Sequence, residues 1–455
     1  TAGALPGEVA DLSGEQVAEA AAFLAHTARR RQPGHAAIAI QSIAGNVDGR
    51  RRMRIAIVND DMPFLVDSVA NAVAARQLTI HRLLHPVVCV DRDEDGELER
   101  VEGLCSDKAR RESMMYLELD RADARGRQEL AADLRRVLGD VRLAVRDWEA
   151  LQARMRADAR DVAKTDSEGA ALLNWFADGA MTLLGYQVEK PYEAPSEALG
   201  IFSIPGAPTD EGGCLGAMHY LEQGGEVPLV AKAERRATVH RRVPLDLVVV
   251  PLRKDGKVIG IGVHAGLWTS EALRVPPEEV PVLRARLKDL DKDFGFDPKG
   301  HSGKALRHAV ASLPRDLVIA IDYEELRDLV MMAMSLADRP RPALLQVRSI
   351  LKGQLFTFVW LPREELSTAR RLAIGRLLEN EVGREITSWS VELGDADLAL
   401  IRYTQYIDEE APLPDAEALD AAVVEMVRGW SPAVEAELIA QAGAPRATRL
   451  ALTYI

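Results

Sequence analysis

Short apolar runs alternate with helical stripes along this chain. Met53-Arg54-Ile55-Ala56-Ile57-Val58 is an apolar run closed by the polar Asn59-Asp60-Asp61, which predicts a strand. Ala37-Ile38-Ala39-Ile40 predicts its neighbour, with Gly45 and Gly49 in the connection. Leu65, Val69 and Val73 recur every fourth residue and predict a helix over 63–77. Residues 80–90 predict one long strand containing His85-Pro86, followed by the turn Asp91-Arg92-Asp93-Glu94-Asp95-Gly96 with Asp-Gly at its tip. A return strand is expected from Leu98 and another over 113–119. Leu130, Leu134, Leu138, Val141, Val145, Trp148 and Leu151 then recur at spacings of three and four, predicting one long helix over 128–160.

The next stretch mixes both periods. Leu172, Trp175, Phe176, Met181 and Leu184 predict a helix over 166–185. Strands are predicted over 186–189, 200–204, 228–232, 238–240, 245–251 and 258–263, with Lys254-Asp255-Gly256-Lys257 as a hairpin tip. Helices are predicted over 280–291, 304–313 and 323–337. The methionines of the last (Met331, Met332, Met334) read as core filler. Residues 343–350 and 355–361 predict a hairpin over Lys352-Gly353, then a helix over 367–379 and strands over 385–393 and 398–406. This ββαββ order repeats the plan of the first unit. Ala411-Pro412-Leu413-Pro414 precedes a helix over 416–440 and a final strand over 450–455. Six segments follow: a helical lead (1–34), a first α+β unit (35–125), a linking helix (126–165), a middle α+β unit with trailing helices (166–320), a second ββαββ unit (321–410), and a linker, helix and start of a further domain (411–455).

Composition narrows the function classes. A 455-residue chain implies roughly two to four domains. With 47% hydrophobic and 28% charged residues it has the profile of a globular protein in water. A net charge of −13 argues against nucleic acid or an anionic membrane as partner. Arg29-Arg30-Arg31 and Arg50-Arg51-Arg52 are local exceptions that read as solvated loop edges. Three cysteines (Cys89, Cys105, Cys214) are too few and scattered for a disulfide framework or a zinc site, and Cys89 reads as a buried thiol. No run approaches the about 18 apolar residues of a membrane span, and no secretory signal is visible, so a cytoplasmic protein is expected.

Motifs for several chemistries are missing. Gly260-Ile261-Gly262-Val263-His264-Ala265-Gly266 has the wrong spacing for a dinucleotide fingerprint and opens no helix. Gly303-Lys304-Ala305 lacks the upstream glycine and the hydroxyl of a phosphate loop. His81 and His85 lie on a predicted strand, about 13 Å apart at four residues' separation, and form no metal pair. Neither a catalytic residue nor a metal ligand is assigned.

The candidate site is the strand-to-helix turn Asn59-Asp60-Asp61-Met62-Pro63-Phe64-Leu65. Asn59 or Asp60 can cap the following helix and Pro63 suits its first turn. Free backbone donors at such a turn could meet the carboxylate of a small effector, while Asp60 or Asp61 meets its ammonium. The same residues are also compatible with a well-capped junction that holds no ligand. The turn Leu361-Pro362-Arg363-Glu364 is its counterpart in the last unit and a weaker candidate. His240, Arg241, Arg242 and Asp246 form a second cluster, either an anion pocket or an ion-pair group joining two domains.

Several blocks in order carry a family resemblance: Asn59 to Val69, Ile80-His81-Arg82-Leu83-Leu84-His85-Pro86-Val87, Glu112 to Arg121, Leu229-Val230-Ala231-Lys232-Ala233, Val239-His240-Arg241, and Gly266-Leu267-Trp268-Thr269-Ser270. Together they resemble the N-terminal region of the large bacterial NAD-dependent glutamate dehydrogenases. The resemblance implies an α+β chain with tandem ACT-like (ferredoxin-like) domains flanking a PAS-like domain, with long linking helices. It implies a parent enzyme that deaminates L-glutamate oxidatively to 2-oxoglutarate and ammonia with NAD. The catalytic machinery would lie in a C-terminal region outside this chain, so no cofactor is expected here. The expected role is regulation and assembly: an amino-acid effector, a homo-oligomer, and contact with the parent's own catalytic region. The alternative is a purely structural scaffold that binds nothing small.

Overall fold

The computed structural model describes residues 9, 11–43, 51–102, 110–204, 211–350, 353–393, 397–408, 411–427 and 437–440. The glycine connection at Gly45 and Gly49, Arg50, Cys105, Lys352, part of the 416–440 helix and the strand over 450–455 lie outside these.

Helix α1 (Gly14–Ala28) starts at a capping box, in which Ser13 Oγ accepts from the Gln16 amide and the Gln16 side chain accepts from the Ser13 amide. Six strands follow: β1 (Ala37–Ser42), β2 (Arg52–Asp60), β3 (Ile80–Leu84), β4 (Val87–Arg92), β5 (Leu98–Glu102) and β6 (Arg110–Asp120). The antiparallel sheet is ordered β1-β2-β6-β4-β5, with β3 also on β6. The single strand expected over 80–90 is divided at Pro86, which has no N–H for the ladder. Its carbonyl still accepts from the Met114 amide at 2.9 Å, so both halves keep one partner. Met53, Ile55 and Ile57 of β2 face helices α2 (Leu65–Ala74) and α3 (Ala124–Arg146), while Ala56 and Val58 face α1. This strict alternation follows from the two-residue period of a strand buried on both faces.

The long helix expected over 128–160 is two helices, α3 and α4 (Trp148–Val162), meeting at Asp147. Asp147 has left helical geometry, and its carboxylate accepts from the Gly200 amide at 2.7 Å and from Arg146. This tertiary bond is invisible to a periodicity argument. Helix α5 (Ser167–Trp175) passes through a π turn at Phe176–Ala180 into β7 (Met181–Glu189). The helix predicted to 185 therefore ends early: Gly179 has φ 116°, and Met181 and Leu184 belong to a strand whose residues are buried on both faces.

The middle sheet adds β8 (Ser196–Gly200), α6 (Glu211–Glu222), β9 (Leu229–Arg236), β10 (Pro244–Lys254) and β11 (Lys257–Trp268), ordered β8-β7-β11-β10-β9 and antiparallel throughout. The strand expected over 200–204 lies earlier, at β8, and turns at Gly200. Residues 238–240 are not a strand, and His240 has a left-handed backbone. Helix α6 was not foreseen, because its glycine-rich opening has poor helix propensity. Met155 and Ala159 of α4, with α5, cover one sheet face (Tyr186, Val188, Val248, Val250), and α6 covers the other (Leu229, Val249, Ile261, Val263).

Four helices follow: α7 (Leu283–Phe294), α8 (His301–Ser312), α9 (Arg315–Val318) and α10 (Tyr323–Asp338). The core stripe of α10 is Leu326, Leu329, Val330, Ala333 and Leu336; Met332 and Met334 pack at its margin and Met331 is exposed rather than filler. The last sheet comprises β12 (Ala343–Arg348), β13 (Gln354–Pro362), β14 (Ile386–Leu393) and β15 (Leu398–Tyr406), with α11 (Thr368–Val382) between β13 and β14 and α12 (Ala416–Val427) after β15. Its order, β12-β13-β15-β14, matches β1-β2-β6-β3/β4 of the first sheet, helix included. One face meets α11 and α12 (Val359, Leu361, Ile401), and the other (Phe356, Phe358, Trp360) joins the core of α10 and the middle unit.

Candidate functional site

Strand β2 delivers Asn59 and Asp60 to its own end, where both are held by arginines. Arg142 on α3 donates to Asn59 Oδ1 at 2.5 Å and to Asp60 Oδ2 at 3.0 Å. Arg31 donates to Asp60 Oδ1 at 2.6 Å. Arg31 itself is 2% exposed and shares the fully buried Glu112 with Arg92. Burial alone would raise the Asp60 carboxyl, but the bond and charge of Arg31, helped by Arg142 and Arg110, hold it below the ordinary range. Three guanidiniums (Arg31, Arg92, Arg142) face two carboxylates (Asp60, Glu112), so the group carries one formal positive charge in excess. Arg29 and Arg30 are solvated as expected, whereas Arg31 is the buried centre of this network.

Neither Asn59 nor Asp60 caps α2. Phe64 occupies the cap position with φ 70° and no side-chain bond to the first turn. Asp61 pairs with Arg111 at 3.1 Å, and its amide donates to the Arg111 carbonyl. Met62 packs against the apolar core, Pro63 is exposed and Leu65 is buried. An effector ammonium at Asp60 or Asp61 would therefore replace or join an arginine. At the counterpart turn, Leu361 is buried and ends in Pro362, and the Arg363 amide donates to the Asp397 carbonyl. Arg363 and Glu364 are exposed, and α11 is capped by Ser367, so that turn leaves its helix closed.

The second cluster divides between the first unit, which His240 reaches, and Trp268 of β11, where Arg241 and Asp246 meet. His240 reaches the first unit: its amide donates to Ser68 Oγ at 2.8 Å, its carbonyl accepts from Asn71 at 2.7 Å, and its Nδ1 lies 3.0 Å from Asp67. Its ring packs on Phe64, centroids 5.3 Å apart. Thr238 adds a bond to the buried Asp140 of α3. Arg241 donates to the Trp268 carbonyl, and Arg242 is exposed. Asp246 accepts from the Trp268 amide at 3.3 Å, on the same residue that Arg241 bonds, and the largely buried Lys232 bridges it to Asp316 while Gln354 of β13 bonds the Lys232 carbonyl. Arg402 of β15 stands 3.9 Å from Asp316. Burial and the nearby Asp316 push Asp246 up; Lys232 and Arg402 overcome burial at Asp316 and hold it at about 2.

Beside Phe64 lies a cavity of about 240 Å³, walled by Pro63, Phe64, Ala144, Val145, Trp148 and Leu183. It sits where the turn, α3, α4 and β7 meet. Deeper in the middle unit, His264 bonds the buried Asp158 at 2.8 Å, and Arg154 closes over Tyr186. Burial outweighs the Asp158 bond and pulls the His264 imidazole down. Cys89 is buried but disulfide-bonded, not the free thiol expected. Among the described residues no His, Cys, Asp and Glu group could hold a metal ion, and no helix is long and apolar enough to cross a membrane. The Gly260 to Gly266 run lies inside β11.

Residues 2–134 match the family model "Glutamate dehydrogenase, ACT1 domain", residues 280–339 "Glutamate dehydrogenase, helical motif 1", and residues 354–431 "Glutamate dehydrogenase, ACT2 domain". A protein named NAD-specific glutamate dehydrogenase from Halomonas elongata is 29% identical over 406 residues, covering 83% of this chain and 25% of the relative. Proteins of the same name from Pseudomonas aeruginosa and Mycobacterium tuberculosis are 26% identical over 427 residues and 24% over 371, covering 87% and 78% of this chain and 26% and 22% of the relatives. The chain thus spans about a quarter of the length of the curated relatives it matches. It belongs to the NAD-specific glutamate dehydrogenases, as an N-terminal region that carries their ACT1 domain, helical motif 1 and ACT2 domain.

Proposed function

We propose that this chain is a regulatory and assembly segment of an NAD-dependent glutamate dehydrogenase, and that it senses an amino acid at the turn 59–65. The parent enzyme would convert L-glutamate, with NAD, to 2-oxoglutarate and ammonia in the cytoplasm. The middle unit is read as PAS-like, supported by its five-stranded antiparallel sheet with a helix inserted between β8 and β9. The observation that carries the sensing reading is the position of the turn. It ends in a helix without a side-chain cap, borders a positively charged network, and touches the middle unit through Phe64 and His240. An effector carboxylate is favoured by the excess charge around Arg142 and by the α2 donors, with Asp61 within the same turn for the ammonium. Ligand held there acts on the contact between two units, which is what coupling requires.

The test is a melting-temperature screen with the twenty amino acids, 2-oxoglutarate, NAD and NADH. Binding to the folded state raises the melting point with concentration. A rise with one amino acid, abolished by Asp61→Ala, supports sensing at this turn. A second reading, a ligand-free scaffold, is favoured by the Lys232 junction, which ties the middle unit, α9 and the last sheet together. It predicts oligomers and no metabolite response.

A further inference from the structure

One hairpin of the middle unit is held by both ACT units. Strands β9 and β10 are joined by the loop 237–243, and β9 is the edge of its sheet. The loop sits in ACT1. Ala237 and Val239 are at most 2% exposed and belong to the ACT1 core, with Met53, Ile55 and Leu134. Thr238 donates to Asp140 Oδ2 at 2.6 Å, the His240 amide donates to Ser68 Oγ at 2.8 Å, and Asn71 donates to the His240 carbonyl at 2.7 Å. The strand below the loop is gripped by ACT2. Arg236, the last residue of β9, donates to the Thr387 carbonyl of β14, and Gln354 of β13 donates to the Lys232 carbonyl at 2.6 Å. Ion pairs run on from Lys232 through Asp316 to Arg402 of β15.

Packed strands transmit displacement, because interiors compress little. A bulge is where this hairpin could give: between the pairs Asp246–Lys232 and Pro244–Arg236, three residues of β9 (233–235) oppose one of β10. ACT2 holds β9 on both sides of the bulge, at Lys232 and at Arg236, so a movement of the loop reaches ACT2 before the bulge can absorb it. A cross-brace closes the frame. Arg241 of the loop donates to the Trp268 carbonyl, and the Trp268 amide donates to Asp246, the partner of Lys232.

We infer that the β9–β10 hairpin couples ACT1 to ACT2: loosening its loop on α2 loosens the hold of β13 and β14 on β9, and the reverse. Coupling of this kind is reciprocal. It needs two grips on one element and no ligand, so it holds for a regulatory segment and for a ligand-free scaffold alike.

The experiment is hydrogen–deuterium exchange on the whole chain in single variants. Ser68→Ala and Asn71→Ala each remove one bond from the grip on the loop, so that a folding defect in one leaves the other to report. Gln354→Ala loosens the opposite grip. Arg76→Ala is the control, because its partners, Glu129 and Asp133, lie in α3 and not in the hairpin. Amides at 386–392 should exchange at least about threefold faster in Ser68→Ala or Asn71→Ala and unchanged in Arg76→Ala, and amides at 65–74 at least about threefold faster in Gln354→Ala. Unchanged exchange at 386–392 in both loop variants, unchanged exchange at 65–74 in Gln354→Ala, or the same rise at 386–392 in Arg76→Ala, overturns the coupling.

Discussion

The Phe64 ring and the His240 imidazole face each other across the boundary between the ACT1 and middle units, and both residues are left-handed, with φ of 70° and 65°. Such a backbone costs a residue other than glycine about 1–2 kcal/mol. His240 is held in it by bonds on both sides of its peptide, to Ser68 and Asn71. Phe64 is held by the turn into α2, whose Ser68 amide donates to its carbonyl.

Opposite effects are therefore expected at Phe64. Phe64→Ala keeps the backbone cost and loses the ring; Phe64→Gly loses the ring and relieves the backbone. Urea unfolding should find the glycine variant more stable than the alanine variant by about 1 kcal/mol. A double-mutant cycle with His240→Ala should give a coupling of about 0.5–1.5 kcal/mol. Independent effects would mean that the rings do not join the units.

Lys232 is the next prediction. It stands between the buried Asp246 and the half-buried Asp316, and its carbonyl is bonded by Gln354. Lys232→Met leaves the acids uncompensated and should cost about 3–5 kcal/mol. Adding Asp246→Asn removes one of them and should recover a large part of that loss. A double variant as unstable as the single one would contradict the shared-charge account.

Asp316 sets an acid-side test. Its folded pKa is held at about 2, below the about 3.9 of an unfolded aspartate. Its contribution is complete above the unfolded value and is lost as the pH falls from there towards 2. Asp316→Asn, less stable at neutral pH, should show a flatter fall in melting temperature below pH 4. An unchanged slope would show that the carboxylate titrates normally.

The His264 ring gives the corresponding test near neutrality. Its folded pKa lies below that of an unfolded histidine, about 6.5, because burial disfavours the charged form. The folded state then binds fewer protons, so stability is complete above 6.5 and falls as the pH drops below it. His264→Gln should remove part of that fall, by at most about 1.4 kcal/mol per pH unit. Identical pH curves for the two proteins would contradict it.

Local pattern made much of this fold legible. The apolar run of β2, the Asp-Gly turn before β5, the hairpin at Asp255-Gly256 and the ββαββ repeat all follow from short apolar runs and turn chemistry. The turns at 59–65 and 361–364 were legible as the ends of strands. The partners of the first were not, because Arg31, Arg92, Glu112 and Arg142 come from four separate elements and only the folded sheet assembles them. The same reason splits His240 from Asp246. The helix break at Asp147 depends on a bond to Gly200, and the cap at Phe64 on a backbone angle no side-chain rule suggests. Other failures were local: the split at Pro86, the early end of the helix at Gly179 and the glycine-rich opening of α6.

Hydrogen–deuterium exchange with and without an equimolar mixture of the twenty amino acids tests the central claim most directly. If the turn senses an amino acid across the Phe64–His240 contact, amides at 61–69 and at 238–243 should slow together when the mixture is present. Unchanged exchange in both segments, in a protein whose other amides report a folded state, would contradict it.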